Sequence, residues 1–191
     1  MPDQLLMQRR HRAAAAVTMP IMPILPNFPS SLLLAAAIFL TACSPTFDWR
    51  EVRGPDASYT VLLPGKPATV SREINLDGTP VNMTMTAAET AGVTFAVGTA
   101  KMADAAAAGR AVSAMKTALV KNINGTVRQE KPLANGMYIE AAGPAAAGGE
   151  PRLLYARFLS KDNRIFQVVM TGKEASMSRD AAEMFFGSFK N

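Results

Sequence analysis

The sequence has almost no histidine or cysteine, two side chains that enzymes often use for nucleophilic or metal chemistry. Its 191 residues contain one histidine, His11, and one cysteine, Cys43. Beyond position 43 there is neither imidazole nor thiol. That removes a Ser-His-Asp triad, a Cys-His pair and the usual zinc ligand sets from consideration there. No second cysteine exists to form an intramolecular disulfide, so stability has to come from packing. Charge is sparse as well: 18% of residues are charged, and of the formal excess of +5 the +3 that lies beyond residue 42 is scattered rather than blocked. A nucleic-acid interface concentrates Lys and Arg beside stacking aromatics. This sequence has no such block, so no nucleic-acid partner is expected. Gly65-Lys66 lacks the Gly-x-x-x-x-Gly-Lys-Ser/Thr spacing of a phosphate-binding loop and reads as a turn.

Long apolar runs are few too. The run from Leu32 to Leu40 matches the ~7–15 residues of a secretory signal core and falls short of the ~20 residues of a membrane span. Pro20, Pro23, Pro26 and Pro29 interrupt the segment before it, which argues against a permanent transmembrane anchor. Arg9, Arg10 and Arg12 supply a positive region upstream. The distance from Arg12 to Ser31 is long for a signal peptide, and a start at Met19 or Met22 stays open beside Met1.

The apolar run ends in Leu40-Thr41-Ala42-Cys43: an aliphatic residue, a β-branched one, a small one and then cysteine. This resembles the lipobox of bacterial lipoproteins. The resemblance implies recognition of Leu40, Thr41 and Ala42 by a signal peptidase and cleavage before Cys43. It further implies acylation of the Cys43 sulfur and of the new amino terminus. One acyl chain binds a membrane marginally and two or three make the anchor effectively permanent. Ser44 in place of aspartate implies the outer membrane, facing the periplasm. The expected organisation is a signal peptide over 1–42, a lipidated tether over 43–57 and one domain over 58–191. Removing 42 of the 191 residues leaves 149, enough for one domain with its own core. Phe47 and Trp49 read either as interfacial anchors or, the favoured reading, as core residues opening the first strand.

The remaining sequence alternates between two periods. Period-two patterning and turn dipeptides predict strands over 58–63, 68–76, 80–88, 93–100, 126–133, 137–142, 152–160 and 164–171. Asp77-Gly78, Asn135-Gly136 and Asp162-Asn163 supply hairpin turns. Val81, Met83 and Met85 fall on one face of their strand, and Asn82, Thr84 and Thr86 on the other. The apolar run Val168-Val169-Met170 predicts a central strand covered on both faces. A helix is predicted over 105–122, capped by Asp104, with an apolar stripe of Ala108, Val112, Met115 and Leu119 and a left-handed Gly125 at its end. A second helix over 179–189 is capped by Ser178 and packs through Ala182, Phe185, Phe186 and Phe189. Residues 143–149 read as a flexible loop. Strands, helix, strands, helix without β-α-β alternation predicts an α+β domain. It should hold a mainly antiparallel sheet of about eight strands with two helices packed on it.

Tyr59-Thr60-Val61-Leu62-Leu63-Pro64-Gly65-Lys66-Pro67, the alanine-rich middle helix, Arg164-Ile165-Phe166-Gln167-Val168-Val169 and the closing Phe185-Phe186-Gly187-Ser188-Phe189-Lys190 resemble, over about 58–190, envelope proteins with a PsbP-type domain. The resemblance implies an antiparallel sheet sandwiched by helices and a non-enzymatic accessory role. The matching positions are turn and core, so it carries over no site residue.

The candidate chemistry is modest. Met83-x-Met85 offers two thioethers, which suit Cu(I) but read first as core gap-fillers. Glu73, Glu89, Glu130, Glu140 and Glu150 are the available acid–base carboxylates. A glycosidase-type pair needs two of them ~5–9.5 Å apart across a cleft, and the spacing nominates none. Lys101, Arg110, Lys116 and Lys121 offer one helix edge a basic face for anionic partners or lipid headgroups, but read first as a solvated face. The expectation is a lipid-anchored envelope protein without catalytic, cofactor or metal residues, held to membrane lipid through acylated Cys43 and engaging an envelope protein partner. The competing expectation is a periplasmic hydrolase using carboxylates.

Overall fold

A computed structural model describes residues 46–76, 78–144 and 150–191. Leu40, Thr41, Ala42 and Cys43, and most of the expected loop over 143–149, lie outside the described residues. The elements are β1 (Trp49–Arg53), β2 (Thr60–Pro64), β3 (Ala68–Leu76), β4 (Thr79–Thr90), β5 (Val93–Lys101), α1 (Ala105–Asn122), β6 (Thr126–Leu133), β7 (Gly136–Gly143), β8 (Arg152–Lys161), β9 (Arg164–Lys173), a 3₁₀ turn (Glu174–Ser176) and α2 (Arg179–Ser188). Seven strands form one antiparallel sheet in the order β3-β4-β5-β9-β8-β7-β6, and β1 and β2 pair in a small second sheet. The fold is α+β with two helices, as the patterning predicts.

The nine strands among the described residues exceed the expected eight because β1 falls inside the stretch assigned to the tether. Phe47 and Trp49 explain its position. Both rings pack edge-on against Phe95, at 6.2 and 5.8 Å between centroids, so they join the core as the favoured reading has it.

The large sheet is covered on both faces, and alternate residues of each strand feed separate cores. On one face Val93, Phe95 and Val97 of β5, Tyr155 of β8 and Phe166, Val168 and Met170 of β9 pack under β1, β2 and α2. On the other, Ile139 of β7, Leu154 and Phe158 of β8 and Ile165 and Val169 of β9 pack under α1. The β9 strand sits in the middle of the sheet, which is why its sequence is apolar without alternation. In β4 the expected alternation holds, yet Thr84 and Thr86 are buried too. Their hydroxyls pair with those of Ser71 and Thr69 on β3, at 2.9 and 3.0 Å.

Both helices start on the expected caps: the Asp104 carboxylate accepts from the Ala107 amide at 2.7 Å and the Ser178 hydroxyl from that of Ala181 at 3.2 Å. The stripe Ala108, Val112, Met115 and Leu119 faces the sheet. The end of α1 differs from expectation. The left-handed residue is Asn124 (φ 47°), not Gly125. Glycine is required at 125 for space, since a Cβ there would meet Ile123 Cδ1 at 2.7 Å and the Ala142 carbonyl oxygen at 2.9 Å. The α2 helix is tied to β2 by Ser188, whose hydroxyl accepts from the Leu62 amide at 2.9 Å. Just beyond, Thr60 and Lys190 exchange two backbone hydrogen bonds of 2.9 and 3.0 Å.

Candidate functional site

Beside the sheet, charge, aromatic surface and open space meet next to α2. Strands β6, β7 and β8 run beyond the α2 helix on its own face of the sheet, and the step between them is a hollow of 410 Å³. It is lined by Lys131, Leu133, Tyr138, Glu140, Arg157, Arg179, Ala182, Glu183 and Phe186, with Gly187 at its rim. Its geometry follows from register. Tyr138 and Glu140 are two apart on β7 and so point to one face. Tyr138 stands opposite Arg157 of β8, and Glu140 opposite Tyr155.

Glu140 is the hub on one side. Arg179 clamps it with both terminal nitrogens, at 2.8 and 3.3 Å, and the Tyr138 hydroxyl donates to it at 2.9 Å. Arg179 also lies over the Tyr155 ring at 5.2 Å. Burial pushes the Glu140 carboxyl upward, but the hydrogen bonds from Arg179 and Tyr138 outweigh it and hold the group below its ordinary value. Burial, reinforced by the neighbouring carboxylate, raises the Tyr138 phenol well above the usual range. The cluster is therefore a carboxylate held ionised beside a phenol held protonated.

Arg157 dominates the other side. It is the one charge within the apolar run Leu153-Leu154-Tyr155-Ala156-Arg157-Phe158-Leu159. Its guanidinium donates to the Phe186 carbonyl oxygen at 2.7 Å and stacks 5.2 Å from the Phe186 ring. Its Nε is buried without a hydrogen-bond partner. No carboxylate among the described residues pairs with Arg157 or with Lys131, within the ion-pair set of the fold.

The other sequence candidates are dispersed. Glu130 pairs with Lys116 at 3.1 Å on the α1 face, opposite to that of Glu140. Glu150 lies 4.0 Å from Lys173. Glu73 is exposed on edge strand β3, and Glu89 near the end of β4. No two of the five are brought across one cleft. Met83 and Met85 converge over Gly98, where a Cβ would lie 3.3 and 2.5 Å from their sulfurs. There they fill the space a side chain would take, under α1. Of the basic helix edge, Lys116 is engaged by Glu130, while Lys101 and Arg110 border a separate, smaller hollow of 280 Å³. Among the described residues no group of three or more His, Cys, Asp or Glu could hold a metal ion, and no helix is long and apolar enough to cross a membrane. A hollow of 610 Å³ along Arg53–Thr60 and Lys190 is a turn surface. Its carboxylate, Asp56, is held by the buried Thr99 hydroxyl at 2.7 and 2.8 Å and by Arg164 at 3.5 Å.

Glu140 is among the carboxylates that the sequence nominates, whereas Arg157, Tyr138 and Arg179 are not among its candidates. The signal for Arg157 was present: an arginine inside a strand otherwise apolar on both faces.

Comparison with known proteins adds little. No family model matches the chain, and no curated protein does. A crystal structure from Bacteroides thetaiotaomicron VPI-5482, at 1.50 Å resolution, is similar over 74% of this chain and 47% of its own, with 15% sequence identity and a TM-score of 0.39. The present chain thus spans about half the length of that protein, and a likeness of this degree carries no argument about function.

Proposed function

We propose that this chain is a lipid-anchored protein of the bacterial cell envelope that acts by binding rather than by catalysis. The observation that carries the anchor is Cys43. It follows Leu40-Thr41-Ala42 and an apolar run, and it is the only thiol in a chain with no histidine after it. Acylation is the chemistry that such a cysteine needs no partner side chain to support. Residues 1–42 are then removed, and Ser44 directs the protein to the outer membrane, on the periplasmic side. The tether is shorter than the sequence suggests, because Phe47 already packs on Phe95. Four residues span at most about 14 Å, so the domain is held close to the bilayer.

The binding reading draws on the hollow. Of its two carboxylates, the partly buried Glu140 is held by Arg179 and Tyr138, and Glu183 is exposed. The layered sheet is also what an accessory domain of PsbP type would have. The test is palmitate labelling and membrane fractionation of the wild type and Cys43→Ala in a bacterial host. Label and membrane association should both disappear in the variant. Unchanged labelling would refute the anchor.

A further inference from the structure

We propose that the hollow between β6–β8 and α2 binds an anionic oxygen group, a phosphate or a carboxylate, carried on a short apolar body, with Arg157 as its principal contact. The inference rests on the binding reading above and names the class of ligand.

The argument is one of charge balance. A half-buried guanidinium is costly unless it is paired. Arg157 has only the C-terminal end of α2 for compensation. It donates to the Phe186 carbonyl oxygen, and a helix end supplies roughly half a negative charge. Nothing else on the hollow completes that balance. Glu140 is consumed by Arg179 and Tyr138, and Glu183 is exposed and, among the ion pairs of the described residues, pairs with neither Arg157 nor Lys131. Lys131 contributes a further cation on the same wall. A planar guanidinium held by stacking and by one hydrogen bond is pre-oriented, and this fork geometry matches phosphate and carboxylate oxygens. The rest of the lining specifies the other half of the ligand. Leu133, Tyr138, Ala182 and Phe186 present apolar and aromatic surface beside the cations, and 410 Å³ lies within the range of small-molecule sites, ~300–1,000 Å³. The hollow suits an amphiphile rather than a bare ion.

Hexyl phosphate is the probe. The full chain, purified in a neutral detergent, is titrated with it by calorimetry. Saturable binding at one site is expected, weakened about tenfold or more in Arg157→Gln. Arg157→Lys should retain part of the affinity, since charge survives but the fork does not. Lys131→Gln, at an exposed position outside the core, should weaken binding a few-fold and keeps the test valid if the Arg157 variants unfold. Competition by inorganic phosphate would identify a soluble phosphate ester as the source. Competition by micellar phosphatidylglycerol would identify a lipid headgroup; either supports the site. The proposal is overturned by the absence of saturable binding in the wild type. Equal affinity in a folded Arg157→Gln chain, or equal binding of hexanol, would also overturn it. Such a failure leaves palmitate labelling of Cys43 untouched, so it is distinguishable from failure of the anchor.

Discussion

Truncating Phe185 probes whether α2 is built into the core or merely laid on it. Phe185 is fully buried. Its ring meets Phe95 edge-on at 5.3 Å and 87°, and meets Phe186 at 5.1 Å. The same cluster holds Leu63 of β2 and Val168 of β9, so removal of the ring opens a cavity where three layers join. A buried Phe→Ala change costs about 3–5 kcal/mol. The upper half of that range is expected, because the aromatic pairs add about 0.5–1.5 kcal/mol beyond area. For a domain of this size that is a fall of roughly 10–20 °C in Tm. Urea unfolding followed by tryptophan fluorescence is a suitable assay. Trp49 is the only tryptophan in the chain and packs on Phe95, so it reports on the perturbed cluster. Met184→Ala on the same helix, half exposed at 49%, should change stability by no more than about 0.5 kcal/mol. A loss under about 1 kcal/mol for Phe185→Ala would refute the docking of α2.

Four further expectations concern a cap, two glycines and the hollow. Asp104→Ala removes the acceptor for the Ala107 amide and should cost about 1 kcal/mol in urea unfolding. Gly136→Ala would place a Cβ 1.9 Å from the Phe158 carbonyl oxygen and should cost about 2–3 kcal/mol. Gly109→Ala in α1, where nothing lies within 4 Å, should stabilise by about 0.5–1 kcal/mol in the same melts. Glu140 gives a pH signature. Its carboxyl is depressed in the folded chain, so its stabilisation is full above the unfolded value of about 4.3 and is lost as pH falls through the folded value. Glu140→Gln should cost about 1–2 kcal/mol at neutral pH, discounted because Arg179 is 68% exposed. It should also flatten the acid limb of the stability profile. An unchanged acid limb would remove Glu140 from that role.

Most of the fold is local chemistry and was legible as such. Asp104 and Ser178 mark helix starts, paired turn residues mark hairpins, and an unbroken Val168-Val169-Met170 marks the middle strand. What was missed depends on long-range pairing. The β1 strand, Trp-Arg-Glu-Val-Arg, alternates too weakly to read as a strand, and it is fixed by pairing with β2 and by Trp49 meeting Phe95. Gly125 suggested a left-handed helix end, but the turn was taken by Asn124 and the glycine was needed for clearance from Ala142. The hollow was the least legible feature. Glu140, Arg157 and Arg179 lie on three elements, and the register of β7 with β8 together with the docking of α2 decides that they meet.

The central claim is that the functional protein begins at an acylated Cys43. Mass spectrometry of the amino-terminal peptide, taken from protein extracted from membranes of a bacterial host, tests it most directly. The account predicts a peptide that starts at Cys43, carries a diacylglyceryl group on sulfur, and bears an acyl chain on its amino group. A peptide that retains residues before Cys43, or that carries Cys43 as a free thiol, would contradict it.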